Sequence, residues 1–432
     1  MQIARGILGI AVLIGLAWLL STDRRRFPTK IVLGGLALQL AFGLLVLRTE
    51  AGRAVFDAIG GLVTLILRGA DAGAKFVFGP LAGADPAVSW RAVAGIKILT
   101  TIVVFSTLSA IGYHFGILQR VVAAIAFVMT RLLGVSGAES LSGAANIFVG
   151  QTEAPLLVRP YLSGMTRSEL MAIMTGGFAT IAAGVMAVYV DFLGVGRDGQ
   201  PDPARAIAAA RHLLTASIMS APAAFVMAKI MLPETESPLT IGDVKVDVGR
   251  DTRNVLDAAT AGASQGMTLA INVIAMLIAF VALIAVLDFM LIWLGQRSFM
   301  QPVVAALGSE QLDLNTLLGW LFAPIAYALG VETGDCRRFG SLLGTAMATN
   351  EFLAYISLSD MIREDAMSER SLRMATYSLC GFANVSSMGI QVAGIGSLAP
   401  DRRPDLVRLA PRAMLGGAMA CWMTGCLAGM LT

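Results

Sequence analysis

Two glutamates pose the chemical problem of this chain. Glu153 lies in Gln151-Thr152-Glu153-Ala154-Pro155 and Glu351 in Asn350-Glu351-Phe352, each inside a long apolar stretch. If those stretches enter a bilayer, an acid at the centre costs roughly 3 kcal/mol on insertion scales, so each needs a partner or a task. A carboxylate accepts hydrogen bonds from hydroxyls and neutralises a cation. Gln151 and Thr152 add donors and acceptors suited to a polar, planar ligand. Farther along, Asn384 and Ser387 offer an amide and a hydroxyl, and Asn350 stands beside Glu351. Phe382 either stacks on a ligand or packs. Glu139, Asp191 and Asp288 fall nearer span ends and are read as solvated or helix-end groups. Lys97, near the start of a span, is expected to snorkel. Enzyme chemistry is poorly served. There is no paired-aspartate motif and no nucleophile–histidine pair, and the two histidines, His114 and His212, lie away from both glutamates. The four cysteines lack metal-ligand spacing and read as buried thiols. No organic cofactor is indicated.

The elements that must hold these groups are membrane helices. Of 432 residues, 14% are charged and 56% hydrophobic, against about 25% charged in a soluble domain. The apolar runs are continuous rather than alternating, which excludes an outer-membrane barrel. A net charge of +3 is too small to indicate a nucleic-acid partner. A span needs about 20 apolar residues. Eight such runs appear, at 7–20, 31–47, 92–118, 168–193, 207–232, 267–294, 374–399 and 411–431. Residues 54–82 carry Asp57, Arg68, Asp71 and Lys75 among apolar positions and read as an interfacial helix. The first run is not a secretory signal, because its basic cluster Arg24–Arg26 follows the apolar stretch. That cluster and the loop holding Arg402, Arg403, Arg408 and Arg412 are expected in the cytoplasm, with the N-terminus outside an inner or plasma membrane.

Two further segments, near 121–165 and 314–360, are apolar but broken by glycines and polar residues. They resemble each other. Leu133-Gly134-Val135 matches Leu329-Gly330-Val331, a glutamate follows 19 and 21 residues after the glycine, and Gly177-Phe178-Ala179-Thr180-Ile181 matches Gly381-Phe382-Ala383-Asn384-Val385. Each unit reads as a re-entrant hairpin followed by two spans. The intervening crossings make the units inverted, as in many secondary transporters whose sites lie at the midplane. The expected organisation is an N-terminal part at 1–90, a scaffold helix at 91–120, a first unit at 121–232, a linker and scaffold helix at 233–313, and a second unit at 314–432. A hairpin tip at membrane depth survives only against protein or a wet cavity. Turns are expected around Gly143 and Gly150, with Pro155 in the first turn of the second leg. Gly176, Gly177, Thr180 and Gly184 in one unit invite unwinding, as do Gly381, Asn384, Ser386, Ser387 and Gly389 in the other.

Gly150-Gln151-Thr152-Glu153-Ala154-Pro155-Leu156, Asn350-Glu351-Phe352-Leu353-Ala354-Tyr355 and Cys380-Gly381-Phe382-Ala383-Asn384-Val385-Ser386-Ser387 resemble the signature segments of the concentrative nucleoside transporters, as does Ala399-Pro400-Asp401-Arg402-Arg403 before the last helix. The resemblance covers roughly 90–430. It implies an all-α homotrimer with eight spans, two re-entrant hairpins and interfacial helices in each protomer. It implies that Gln151, Thr152 and Glu153 bind the nucleobase, that Glu351, Asn384 and Ser387 hold the ribose hydroxyls, and that Val185 and Phe382 line the site. It implies Na⁺ at Asn146, Val149, Thr180 and Ile181, the middle and last of these offering backbone carbonyls. Threonine at position 180 departs mildly from the serine of other members but keeps the hydroxyl. The Gln-Thr-Glu-Ala-Pro form resembles the sodium-coupled branch more than the proton-coupled one, which stays the alternative. Base preference is open, since Gln151 and Thr152 can satisfy purines or pyrimidines.

Overall fold

The computed structural model describes residues 2–82, 90–196, 200–240 and 252–431. Parts of both polar linkers, 197–199 and 241–251, lie outside them. The described chain is all helical. Helices α1 (Gln2–Leu19) and α2 (Thr29–Arg48) lead into α3 (Glu50–Phe78), α4 (Trp90–His114) and α5 (Ile117–Leu133). The first broken segment holds α6 (Gly137–Ala145) and a 3-10 leg (Ala154–Gly164), followed by α7 (Arg167–Ala179), α8 (Ala183–Leu193) and α9 (Pro203–Met231). Then come α10 (Val255–Gly295), α11 (Gln301–Leu307) and α12 (Leu314–Ala328). The second broken segment holds α13 (Cys336–Ala348) and α14 (Glu351–Arg363), followed by α15 (Glu369–Ser378), α16 (Val385–Leu398) and α17 (Arg403–Leu431).

By length and composition, six helices among the described residues can cross a membrane: Thr29–Arg48, Gly95–His114, Arg167–Leu193, Pro203–Met231, Val255–Gly295 and Pro400–Leu431. Ile3–Leu19 and Val385–Leu398 are apolar but shorter. The α10 run starts twelve residues before the sequence-based bound of 267, because Asn254 caps it by accepting from Asp257 N at 2.8 Å. Its apolar side chains, among them Ile278, Phe289 and Trp293, are exposed as a lipid-facing surface requires. Against α4 it packs through a small-residue pair: methyls at Gly262 and Gly266 would lie 2.7 and 2.8 Å from Ser106. Helix α3 buries Phe56, Gly60, Ala70 and Ala74 along one side and ties to the third turn of α9, where Arg211 pairs with Asp57 at 2.7 Å.

Helix α17 acts as a ruler for direction. Arg167, at the start of α7, pairs with Asp405, and Phe178 near its end abuts Gly417. Arg370, at the start of α15, donates to Gly429 O, whereas Ser378 abuts Gly425. So α7 runs parallel to α17 and α15 runs antiparallel to it. Each broken segment is preceded by a helix that stops on a left-handed glycine, Gly134 (φ 72°) and Gly330 (φ 89°).

Three local expectations are corrected. The glycine Gly143 is not a turn; it lies inside α6, where a methyl would sit 2.8 Å from the Phe225 ring. The second leg of the first hairpin is a 3-10 helix rather than an α-helix, with Pro155 in its first turn, where the missing N–H costs least, and Pro160 inside it. And Lys97 does not snorkel: its ammonium pairs with Asp191 at 3.1 Å.

Candidate functional site

The two interrupted spans meet at their interruptions. The chain leaves helix between α7 and α8, with Thr180 at φ −128°, ψ 164°, and between α15 and α16, with Asn384 at φ −132°, ψ 164°. A methyl at Gly381 would sit 2.5 Å from Phe178 O and 3.1 Å from the Ala179 carbonyl carbon, so only glycine lets the second interruption rest on the first. The Cys421 thiol on α17 lies 3.3 Å from Ala179 O and 3.2 Å from Cys380 O, so its one hydrogen is shared between both loose ends.

Glu351 opens α14, where the positive end of the helix dipole favours a carboxylate. It is 3% exposed. The Tyr189 hydroxyl donates to its Oε1 at 3.0 Å, and Asn384 Nδ2 donates to its Oε2 at 2.7 Å. Both donors are aimed by other contacts. The Tyr189 ring stacks on Tyr355 at 4.2 Å and meets Phe352 edge-on at 5.0 Å. Asn384 caps α16: its Oδ1 accepts from Ser387 N at 2.8 Å and Ser386 Oγ at 2.7 Å, which turns its Nδ2 towards Glu351. The buried Ser387 follows in the first turn of α16, its N–H donated to that cap.

The tip of the first hairpin lies farther along the same helix. Gln151 Oε1 accepts from Gln391 Nε2 at 2.9 Å, and a methyl at Gly394 would sit 2.8 Å from Thr152 Cγ2. Ser387, Gln391 and Gly394 are spaced i, i+4, i+7 and form one stripe of α16. At 1.5 Å per residue the stripe is about 10 Å long. It joins the surroundings of Glu351 to Gln151 and Thr152. Glu153 is held apart from them by α10: its Oε1 accepts from Gln265 Nε2 at 2.7 Å and its Oε2 from Gly150 N at 3.3 Å. Val185, in the first turn of α8, is buried, and Phe382, in the second interruption, is partly buried against the core.

Asn146 ends α6 and is 1% exposed, yet neither Nδ2 nor Oδ1 has a partner among the described residues. Its amide lies 3.5 Å from where a Gly176 methyl would sit. Nearby, Phe148 O accepts from Ala183 N at 3.0 Å, bringing Val149 to the α7–α8 interruption. The carbonyls of Val149, Thr180 and Ile181 accept no hydrogen bond among the described residues. The Thr180 hydroxyl donates back to Gly176 O at 2.9 Å. A buried unpaired amide among free carbonyls is an oxygen-rich setting of the kind a hard cation takes.

Tyr189, Gln265, Gln391 and Cys421 are site residues that sequence reasoning does not single out. The two glutamines carry a signal, an uncharged amide inside an apolar span; Tyr189 and Cys421 carry none. Glu139 is not solvated. It serves a helix end, since its Oε1 accepts from Ser136 N in the α6 capping box. Its Oε2 pairs with the Lys229 ammonium at 2.7 Å, with side chains 1% and 3% exposed. Asp288 accepts from Leu314 N at 2.7 Å, at the head of α12.

Three family profiles match the chain. Profiles described as the N-terminus and C-terminus of Na⁺ dependent nucleoside transporters match residues 8–81 and 212–429, and a nucleoside-recognition Gate profile matches 95–196. The uncharacterized transporter YutK of Bacillus subtilis is 39% identical, over 100% of both chains. Solute carrier family 28 member 3 of Rattus norvegicus is 40% identical across 98% of this chain, which spans 58% of that protein. Among solved structures, CNTnw in an inward-facing substrate-bound state superposes with a TM-score of 0.87 at 38% identity, covering 100% of this chain and 98% of that one. A single-substitution variant of CNTnw in its intermediate 1 state gives 0.89 at 37% identity, with both chains fully covered.

Proposed function

The chain belongs to the concentrative, Na⁺ dependent nucleoside transporter family, a multi-pass membrane transporter and not an enzyme, and from that premise we propose that it imports nucleosides by symport with Na⁺. The observation that carries this reading is the buried Glu351 carboxylate, held by Tyr189 and Asn384 at the head of a polar stripe about as long as a nucleoside. Ribose hydroxyls donate well to such an anion, and Asn384 and Ser387 lie beside it. The base then reaches Gln151 and Thr152 at the other end of the stripe. Glu153 acts there once it exchanges Gln265 for ligand or water, and Val185 and Phe382 close the sides. Na⁺ takes the oxygen atoms around Asn146, Val149, Thr180 and Ile181; the orphaned Asn146 amide supports that placement.

The units 121–232 and 314–432 form the inverted pair that carries the site, in a homotrimer of an inner or plasma membrane with the N-terminus outside. A neutral substrate accumulates only with an energy source. One Na⁺ crossing ~100 mV contributes about 2.3 kcal/mol, and a tenfold gradient about 1.4 kcal/mol more. Together they sustain roughly 500-fold accumulation per ion. Counterflow of a nucleoside panel into proteoliposomes, with and without an inward Na⁺ gradient, tests the reading. Concentrative, Na⁺-dependent uptake is expected. Strong uptake in Na⁺-free buffer driven by a pH gradient refutes sodium coupling.

A further inference from the structure

We propose that Gln391 is a positioning residue that sets base selectivity by fixing which end of the Gln151 amide faces the substrate. The proposal rests on the reading of Gln151 as a base contact. The argument is a chain of forced orientations. Met174 O, a backbone carbonyl, can only accept, and it lies 3.1 Å from one end of the Gln391 amide. That end must therefore be Nε2. The same nitrogen lies 2.9 Å from the Gln151 amide, so the Gln151 atom facing it must be the acceptor Oε1.

Gln151 Nε2 is then turned away from α16. It bonds to no described residue and is not among the fully enclosed polar atoms, so a ligand can reach it. The end of Gln151 left without a partner is accordingly a donor, and a base carbonyl is its matching partner. Reversing Gln391 would set its carbonyl against Met174 O. The observed orientation persists although it leaves Gln391 Oε1 buried without a partner among the described residues. Gly177 on α7 makes room for the arrangement, since a methyl there would sit 2.6 Å from Gln391 Nε2 and 3.0 Å from Gln151 Cβ.

The test compares uptake of uridine and inosine with analogues lacking one base carbonyl, and with their 2′-deoxy forms, in proteoliposomes of the full chain. The wild-type protein should discriminate against loss of one base carbonyl by about fivefold, the worth of one hydrogen bond. Gln391→Met should bring that ratio towards one while the 2′-deoxy ratio stays put. Gln391→Glu keeps the side-chain shape but cannot donate from its carboxylate, and should do the same if the methionine variant fails to assemble. Unchanged carbonyl discrimination in the functional Gln391 variants, or equal loss for every substrate, overturns the proposal. Gln151→Glu separates this from the underlying reading. If that variant also retains carbonyl discrimination, Gln151 does not contact the base; if it loses discrimination while the Gln391 variants keep it, only the positioning role falls.

Discussion

Replacing Glu351 by glutamine removes one charge and changes almost no shape. In the wild-type protein both carboxylate oxygens are engaged, one by Tyr189 and one by Asn384. The Asn384 amide nitrogen cannot accept, so the glutamine oxygen must stay on that side and its NH₂ must face Tyr189. A tyrosine hydroxyl can turn and accept. The internal contacts therefore survive as neutral bonds, and the fold loses about 1–2 kcal/mol, since charge-assisted bonds are roughly twice as strong as neutral ones. The substrate fares worse. Ribose hydroxyls lose a charged acceptor, and one of them now confronts a donor, an unsatisfied arrangement costing about 1–3 kcal/mol. With about 1 kcal/mol more for the weakened second bond the total is about 2–4 kcal/mol, or roughly 30- to 10³-fold in affinity. Calorimetry on the detergent-purified Glu351→Gln protein should show that loss, proteoliposome uptake should vanish near the wild-type half-saturating concentration, and the oligomer should still assemble. Wild-type affinity and uptake would falsify the ribose-binding role of Glu351 and the orientation argument with it.

Asn146→Ala should raise the Na⁺ concentration for half-maximal uptake at least about tenfold at little cost in stability, because the amide it removes has no partner among the described residues; an unchanged Na⁺ titration moves the ion elsewhere. Lys229→Met should destabilise the protein by about 3–5 kcal/mol, the penalty for stranding the buried Glu139, and adding Glu139→Gln should recover much of it. Thermal melts of the two single variants and the double variant check this, and strict additivity would argue against the pair. Gly381→Ala drives a methyl into Phe178 O and the Cys421 thiol and should abolish uptake by parting the two interruptions, whereas Gly389→Ala, with open space around it, should remain active.

Much of the architecture is legible without coordinates. The scarcity of charge identifies a membrane protein because each unpaired charge in hydrocarbon costs kilocalories. Glycine clusters at 176–184 and 381–389 point to interruptions, and the chain leaves helix at 180–182 and 379–384. What the sequence conceals is of another kind. Distance from a span end places Glu139 at a helix end but does not reveal its partner or that of Lys97, because each is paired with a charge far away in sequence, Lys229 and Asp191.

Taken alone, the sequence determined the class and the family, because hydropathy, proline and glycine act locally and motifs are contiguous, and it nominated candidate polar groups. It could not determine which way those groups face. The free amide end of Gln151 owes its direction to Gln391, 240 residues away, and through it to Met174. The Glu351 carboxylate owes its donors to α8 and to the residue that caps α16. An amide or carboxylate is aimed only by neighbours within hydrogen-bond reach, and those neighbours exist only after distant helices have packed.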